Sequence, residues 1–360
     1  MEDSIELKWA SPDEYQQTLR IWQKVYGPDI FPEERITPLE FQRFVIGTVN
    51  GVPAFASIVC DYPTLWRGEV VRGAGVAAVG TLPEFRGGGV GQQMMDRLVG
   101  LMAEANYEVA SLYGFREPFY RKSGFEGCGW RWRITCPAHQ LPKVGGELEV
   151  REIDADHVAE IMGCYRQFAA RFNGSCDRTA EHWNRRLGKK APQIYAVGNP
   201  VEGYLWANPF GFWNDLEIGE IAWTSDRGYR SLLNLMRTLA INKTNVVWCE
   251  PPESAFGRRY VDGAVEMAKS RPTMFAVIDP ESLLNRLGVE FDQFSFEFMG
   301  QTIGSGPKVE IDRLQLAQVL MGSPSLDELV NWGEVTGDLG AIEYLQKFVR
   351  PMSVCCMEFF

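Results

Sequence analysis

Histidine is scarce, with only His139, His157 and His182 in 360 residues. The eight cysteines, at 60, 128, 136, 164, 176, 249, 355 and 356, include no C-x-x-C pair, so no structural zinc site is spelled out in the sequence. Scattered thiols without a disulfide spacing read as the reduced cysteines of a cytosolic protein. No run approaches the roughly 20 apolar residues of a membrane-spanning helix. The opening MEDSIELKWA has neither the basic start nor the apolar stretch of a signal peptide. These absences predict a cytoplasmic protein with no bound metal and no membrane partner. Positive charge is also in deficit. Thirty-six Lys and Arg stand against 47 Asp and Glu, a net charge of −11, which disfavours nucleic acid and suits a cationic small-molecule partner.

The chain is long enough for two to three domains at about 150 residues each. Its 45% apolar and 23% charged residues are those of an ordinary globular protein. Up to Pro137, short strands alternate with helical stretches, as in Phe41 to Asn50, a Gly51-Val52-Pro53 turn, then Ala54 to Cys60, and the reading is a mixed α/β domain. The turn-rich Pro142-Lys143-Val144-Gly145-Gly146 reads as a linker, with a new first strand at Glu147 to Glu152. A third unit starts near Arg271-Pro272, with a strand from Met274 to Ile278 and a helix start at Asp279-Pro280-Glu281. The expected division is 1–140, 147–272 and 273–360. In the third unit Phe294, Phe296 and Phe298 alternate with polar residues, which places one face of a strand on a core.

The chemistry-bearing segment runs from Val76, Ala77, Ala78 and Val79 through Thr81 to Arg86-Gly87-Gly88-Gly89-Val90-Gly91-Gln92. Apolar residues at 94, 95, 98, 99, 102 and 105 then mark one face of a helix. Glycines at a helix start leave N–H groups uncovered where the helix dipole favours an anion, so a phosphate-binding turn is expected. It is neither a Walker loop, since Gln92-Gln93 stand where Lys-Ser/Thr is required, nor a dinucleotide Gly-x-Gly-x-x-Gly. Ile221 to Trp223, followed by Arg227-Gly228 and a helix, repeats the order of strand, loop, arginine and helix with most glycines lost. That echo predicts a duplicated fold whose later copy is degenerate. Further on, Pro118 suits the first turn of a short helix and Gly124 its end, with Tyr120 inside it.

Arg-x-x-Gly-x-Gly between a strand and a helix resembles the pyrophosphate motif of the GCN5-related N-acetyltransferases (GNAT). Two such halves followed by a smaller α/β module resemble the enhanced intracellular survival (Eis) branch of that superfamily. The resemblance implies an α/β (α+β) fold of tandem GNAT units, mixed sheets flanked by helices, with a sterol-carrier-like module at the C-terminal end. It implies acetyl-CoA as co-substrate, held by Val76, Ala77, Ala78, Val79, Thr81 and the segment from Arg86 to Gln92. It also implies Tyr120 as the acid that protonates the departing thiolate. A phenol near pKa 10 is protonated at neutral pH and can donate to a thiolate whose conjugate acid lies near 8.5. The α-carboxylate of Phe360 is expected to position the acceptor amine, and a homohexamer is implied.

The predicted reaction is transfer of acetyl to the primary amine of a small acceptor by direct attack, with backbone N–H groups near Val79 stabilising the developing oxyanion. Trp22, Tyr26, Phe31 and Glu358 are candidate acceptor contacts, aromatic walls with a carboxylate that suit a polyamine, an aminoglycoside or a lysine. Two rival readings share the sequence. One is a protein-lysine or N-terminal acetyltransferase. The other is a non-catalytic acyl-CoA or lipid-binding protein, with the lipid in the third unit.

Overall fold

The computed structural model describes residues 4–145, 148–187, 193–208, 210–270 and 273–358. The first segment contains β1 (Ile5–Trp9), α1 (Tyr15–Tyr26), β2 (Gln42–Val49), β3 (Val52–Asp61), a small hairpin of β4 (Thr64–Trp66) and β5 (Glu69–Val71), and β6 (Gly73–Thr81). It continues through α2 (Val90–Glu104), β7 (Val109–Tyr113), α3 (Glu117–Arg121) and β8 (Glu126–Gly129). Asn50 and Gly51, with φ of 51 and 76°, close the β2–β3 hairpin between paired Val49 and Val52. This Asn-Gly turn matches the twist of the flanking strands, so Val52 and Pro53 belong to β3 and not to the turn.

The second segment contains β9 (Trp132–Pro137), β10 (Val150–Ile153), α4 (Ala159–Ala169), α5 (Ala180–Arg186), β11 (Gln193–Val197), β12 (Gly203–Asn208) and β13 (Leu216–Trp223). It ends with α6 (Asp226–Leu239), β14 (Asn245–Glu250), α7 (Ala255–Arg259) and β15 (Glu266–Lys269). The third contains β16 (Thr273–Val277), α8 (Pro280–Leu287), β17 (Ser295–Phe298), β18 (Gln301–Gly304), β19 (Val309–Glu310), α9 (Arg313–Met321), α10 (Leu326–Asn331), β20 (Thr336–Gly337) and α11 (Leu339–Gln346).

Two seven-stranded sheets result, ordered β1-β2-β3-β6-β7-β16-β8 and β10-β11-β12-β13-β14-β9-β15. They are the same sheet built twice, with one parallel pair each, β6–β7 and β13–β14. The duplicated α/β fold expected from the Arg86 and Arg227 echo is therefore present. Two strands cross the expected boundaries at 140 and 272. β9 lies within 1–140 yet is the sixth strand of the second sheet, and β16 follows 272 yet is the sixth strand of the first. A central strand must satisfy its backbone groups on both sides. β7 pairs with β6 along one edge, and β16 supplies the other, matching Thr273 to Tyr113 and Val277 to Val109. All five β16 residues are buried.

In the third segment Asp279 caps α8 through Ser282 N–H, as the Asp-Pro start predicts. Phe294, Phe296 and Phe298 are buried while Glu297 is exposed, the alternation expected of β17. Phe294 and Phe296 stack at 5.9 Å, in one core with Leu320, Leu329 and the β16 residue Phe275. Bulky side chains fill this core, the arrangement of a structural unit.

Candidate active site

β6 and β7 pair only at Gly73–Val109, Ala74–Ala110 and Gly75–Ser111, after which they separate. On its other side β6 carries a bulge. Ala56 faces Gly80 and Ile58 faces Ala77, so Ser57 alone opposes Ala78 and Val79. Ala78 has φ of 50°, which re-aims the strand at this point. The edge of β6 facing β7 is thus without a ladder partner from Val76 onward.

Beyond the bulge the chain enters the glycine turn. Gly87, Gly88 and Gly89 have φ of 98, 20 and 81°, conformations that a Cβ would strain. Gly89 is the N-cap of α2 and offers no side chain, so the first N–H groups of the helix are left uncapped, where the positive end of the dipole lies. Arg86 donates through Nε to the Thr81 carbonyl at 2.9 Å, which anchors the turn to the end of β6. Gln92 and Asp96 both hydrogen-bond Ser123, at 2.5 and 2.6 Å, tying the start of α2 to the chain after α3.

A cavity of about 580 Å³ opens here, bounded by β6, the glycine turn and α3. Of the predicted cofactor-binding residues, Val79, Thr81, Arg86, Gly87, Gly89, Gly91 and Gln92 line it. Val76 and Val90 instead bury their side chains in the core, and Ala77, Ala78 and Gly88 flank the lining without forming it. Phe115, Arg116, Phe119 and Lys122 also line the cavity. Sequence reasoning missed them, although Arg116 and Lys122 bracket the helix that was recognised. With Arg86 they place three cations, and no acid, on the walls of one cavity in a chain of net charge −11.

Tyr120 lines the same cavity, with Phe119 and Phe115 edge-on at 5.1 and 6.0 Å. Its hydroxyl makes no hydrogen bond to any described residue. Burial pushes its pKa above the ordinary 10, with Tyr26 adding to the push, so the group is a proton donor throughout the neutral range.

The acceptor candidates separate. Tyr26 lines the cavity, and its hydroxyl donates to the Val79 carbonyl at 2.5 Å. Trp22 is fully buried, Phe31 stacks on it at 5.2 Å, and neither lines the cavity. Their expected role as acceptor walls is corrected accordingly: the apolar face of α1 packs onto the sheet, and the two rings are core. Glu358 also lies elsewhere, in a buried ion cluster. Its two oxygens accept from Arg178 Nε and Arg186 Nη1 at 2.5 and 2.9 Å, while both arginines also hold Glu220. Phe360 lies outside the described residues.

The corresponding place in the second fold is built differently. β13 and β14 pair at Leu216–Val246 and Glu217–Val247 before separating. Cys355 and Met357 of the C-terminal segment then lie with Gly219 to Ile221 of β13 and Cys249 to Pro251, around a void of about 20 Å³, while a separate cavity of about 470 Å³ lies at the start of α6, with Ser225, Asp226, Glu253 and Arg259 on its walls. Ser225 caps α6 by accepting from Gly228 N–H at 3.0 Å, Asp226 occupies its first turn, and Arg227 is paired with Glu202. A capped helix start with an acid in place lacks the uncapped N–H groups that the first copy presents.

Residues 6–128 match the model of the acetyltransferase (GNAT) domain. That segment is similar to a GNAT acetyltransferase domain. Across the whole chain the fold is that of solved GCN5-related N-acetyltransferases. One from Anabaena variabilis aligns over 99% of this chain and 100% of its own, at 19% identity and a TM-score of 0.86. One from Kribbella flavida covers 99% of each chain at 19% identity and 0.80. Eis1 from Mycobacterium abscessus covers 99% of this chain and 100% of its own, at 16% identity and 0.76. No curated protein matches the sequence. Among the described residues of the chain there is no cluster of His, Cys, Asp or Glu able to hold a metal, and no helix long and apolar enough to cross a membrane.

Proposed function

We propose that this protein is an N-acetyltransferase that moves acetyl from acetyl-CoA to the primary amine of a small cationic acceptor. One observation carries the reading. The unpaired edge of β6, the uncapped glycine start of α2 and the unpartnered Tyr120 hydroxyl all meet in one cavity. The residues fit the co-substrate. N–H groups at Gly91 and Gln92, with Arg86, suit a diphosphate, and the free edge of β6 suits an amide-bearing arm.

Acetyl-CoA supplies an activated thioester. The chain's own residues do the rest. The β6 edge and the glycine turn orient the donor, and the Val79 N–H is assigned to the negative charge that grows on the acyl oxygen. Tyr120 holds a proton at its hydroxyl and gives it to the sulfur as the thiolate departs. The proposal keeps three units divided near 140 and 272, with β9 and β16 exchanged across those divisions, a cytoplasmic location and the homohexamer that resemblance to the Eis enzymes implies.

Thiol release from acetyl-CoA, measured over polyamines, aminoglycosides and lysine peptides at several pH values, tests the reading. Release that depends on a small multi-amine supports it. Tight acetyl-CoA binding with no release for any amine overturns it in favour of a binding protein. If the glycine turn holds the diphosphate, Gly89→Ala strains the turn and raises KM for acetyl-CoA by about tenfold, leaving kcat nearly unchanged because ground state and transition state lose the contact equally. Steady-state kinetics with varied acetyl-CoA reads the split.

A further inference from the structure

Three successive carbonyls at the β6 bulge accept hydrogen bonds from side-chain donors. Ser57 Oγ donates to the Ala77 carbonyl at 3.0 Å, Trp22 Nε1 to that of Ala78 at 2.8 Å, and the Tyr26 hydroxyl to that of Val79 at 2.5 Å. Trp22 and Tyr26 stand four residues apart on α1, so both project from one face of that helix. Trp22 is fully buried, which makes its indole N–H a donor with nowhere else to turn.

In a planar trans peptide the carbonyl and the following N–H point in opposite directions. The Ala78 carbonyl and the Val79 N–H share one such plane. A donor that holds the first also aims the second away from α1. Ala78 reaches φ of 50° to present its carbonyl to the indole, a conformation an alanine adopts only when its surroundings impose it. The Val79 carbonyl, tied to Tyr26, fixes the next plane, and Gly80 then rejoins the ladder opposite Ala56. Val79 itself lines the cavity that holds Tyr120.

We propose that Trp22 and Tyr26 are positioning residues of the acetyl transfer, holding the Ala78 and Val79 carbonyls on the α1 side so that the Val79 N–H faces the reacting acyl oxygen. The inference rests on the acetyltransferase reading and deepens it. It assigns a task to two aromatic residues whose type and position suggested an acceptor wall. Neither touches the reacting atoms in this role. Each acts through a backbone carbonyl, and preorganisation of a single oxyanion donor is worth about 100- to 1,000-fold in rate.

Trp22→Phe and Tyr26→Phe keep the rings and remove the donors. The expected result is a fall in kcat of at least about tenfold for Trp22→Phe and a smaller fall for Tyr26→Phe, with KM for acetyl-CoA within about twofold of wild type. Phe44→Leu serves as the structural control. Phe44 packs edge-on against Trp22 at 4.8 Å in the same core but donates to no carbonyl. It should lower the unfolding midpoint and leave kcat per folded molecule unchanged. A second readout is independent of turnover. The amide resonance of Val79 and its hydrogen exchange should change in Trp22→Phe and stay as in wild type in Phe44→Leu. Turnover within about twofold of wild type in both Phe variants, or an unchanged Val79 amide in Trp22→Phe, overturns the inference. If the wild-type protein releases no thiol with any amine, the acetyltransferase reading fails, and the Val79 amide still decides whether Trp22 sets this peptide.

Discussion

Tyr120→Phe lowers turnover per folded enzyme by about 100- to 10,000-fold, the range set by removal of a well-placed general acid, while acetyl-CoA binding stays close to wild type. The phenyl ring keeps its contacts with Phe115 and Phe119, and no hydrogen bond to a described residue is lost, so the fold has little reason to respond. What disappears is the proton. A thiolate leaving beside the apolar walls of Phe115 and Phe119 is poorly solvated, and the hydroxyl of Tyr120, whose ring meets both edge-on, is a donor that lines this cavity. Burial holds Tyr120 above the ordinary phenol value, so its protonated form persists as pH rises past 10. The wild-type kcat should therefore climb with pH as the acceptor amine loses its proton and show no fall from loss of the acid below pH 10. A pH–rate profile of wild type and Tyr120→Phe, alongside calorimetric acetyl-CoA binding, reads both parts. A variant within about threefold of wild type would remove Tyr120 from the acid role.

Arg178→Met destabilises the protein by about 3–5 kcal/mol, because breaking a buried ion cluster strands its remaining charges. Arg178 is fully buried between Tyr165 and Trp183 and holds Glu220 with two N–H groups at 2.9 and 2.6 Å and Glu358 with a third. Removing it leaves two carboxylates to share Arg186, whose Nη atoms already contact both. The double variant Arg178→Met/Glu220→Leu should recover much of the loss, since an apolar pair of similar volume carries no unpaired charge. The pH dependence separates the two carboxylates. Burial alone would raise Glu220, but Arg178 and Arg186 outweigh it and bring the group to about 2, below the ordinary 4.5. A depressed folded value means that its contribution is complete above about pH 4.5 and is lost as pH falls toward 2. For Glu358, burial pushes the carboxyl up to about 8, so it does not share the acid-end loss of Glu220. Denaturant unfolding at pH 7 and pH 3 should show the gap between wild type and Arg178→Met narrowing at the acid end. An equal gap at both values would mean that the cluster is not what Arg178 stabilises.

Tyr120 sits in a local motif and Arg178 in a cluster gathered from distant parts of the chain, and the contrast between them shows what was legible beforehand. The glycine turn, the α2 start and the short helix with Tyr120 are local features. Arg86 to Gln92 and Pro118 to Gly124 act on their own backbone within a turn or two, and propensity, capping and periodicity report such features directly. Phe115 and Lys122 carry no such mark, because what makes them cavity walls is the approach of β6 from some 40 residues away. Trp22 illustrates the reverse error. An aromatic residue early in the chain looks available to a ligand, and only the packing of α1 on the sheet shows that its indole is spent on a carbonyl 56 residues later.

The sequence by itself determined the fold class and the glycine start of α2, because each depends on neighbours within a few positions, and it showed the duplication through the echo of Arg86 in Arg227. The tertiary structure decided the rest. It inserted β16 between β7 and β8, gave β9 to the second sheet, and lodged Cys355 and Met357 where the second fold's strands part. It also turned the Ala78 carbonyl toward Trp22. These choices satisfy backbone edges, bulge carbonyls and buried charges across separations of up to about 180 residues, as between Arg178 and Glu358. The requirement to pair every buried polar group acts on the folded chain as a whole, and it leaves no local pattern in the order of residues.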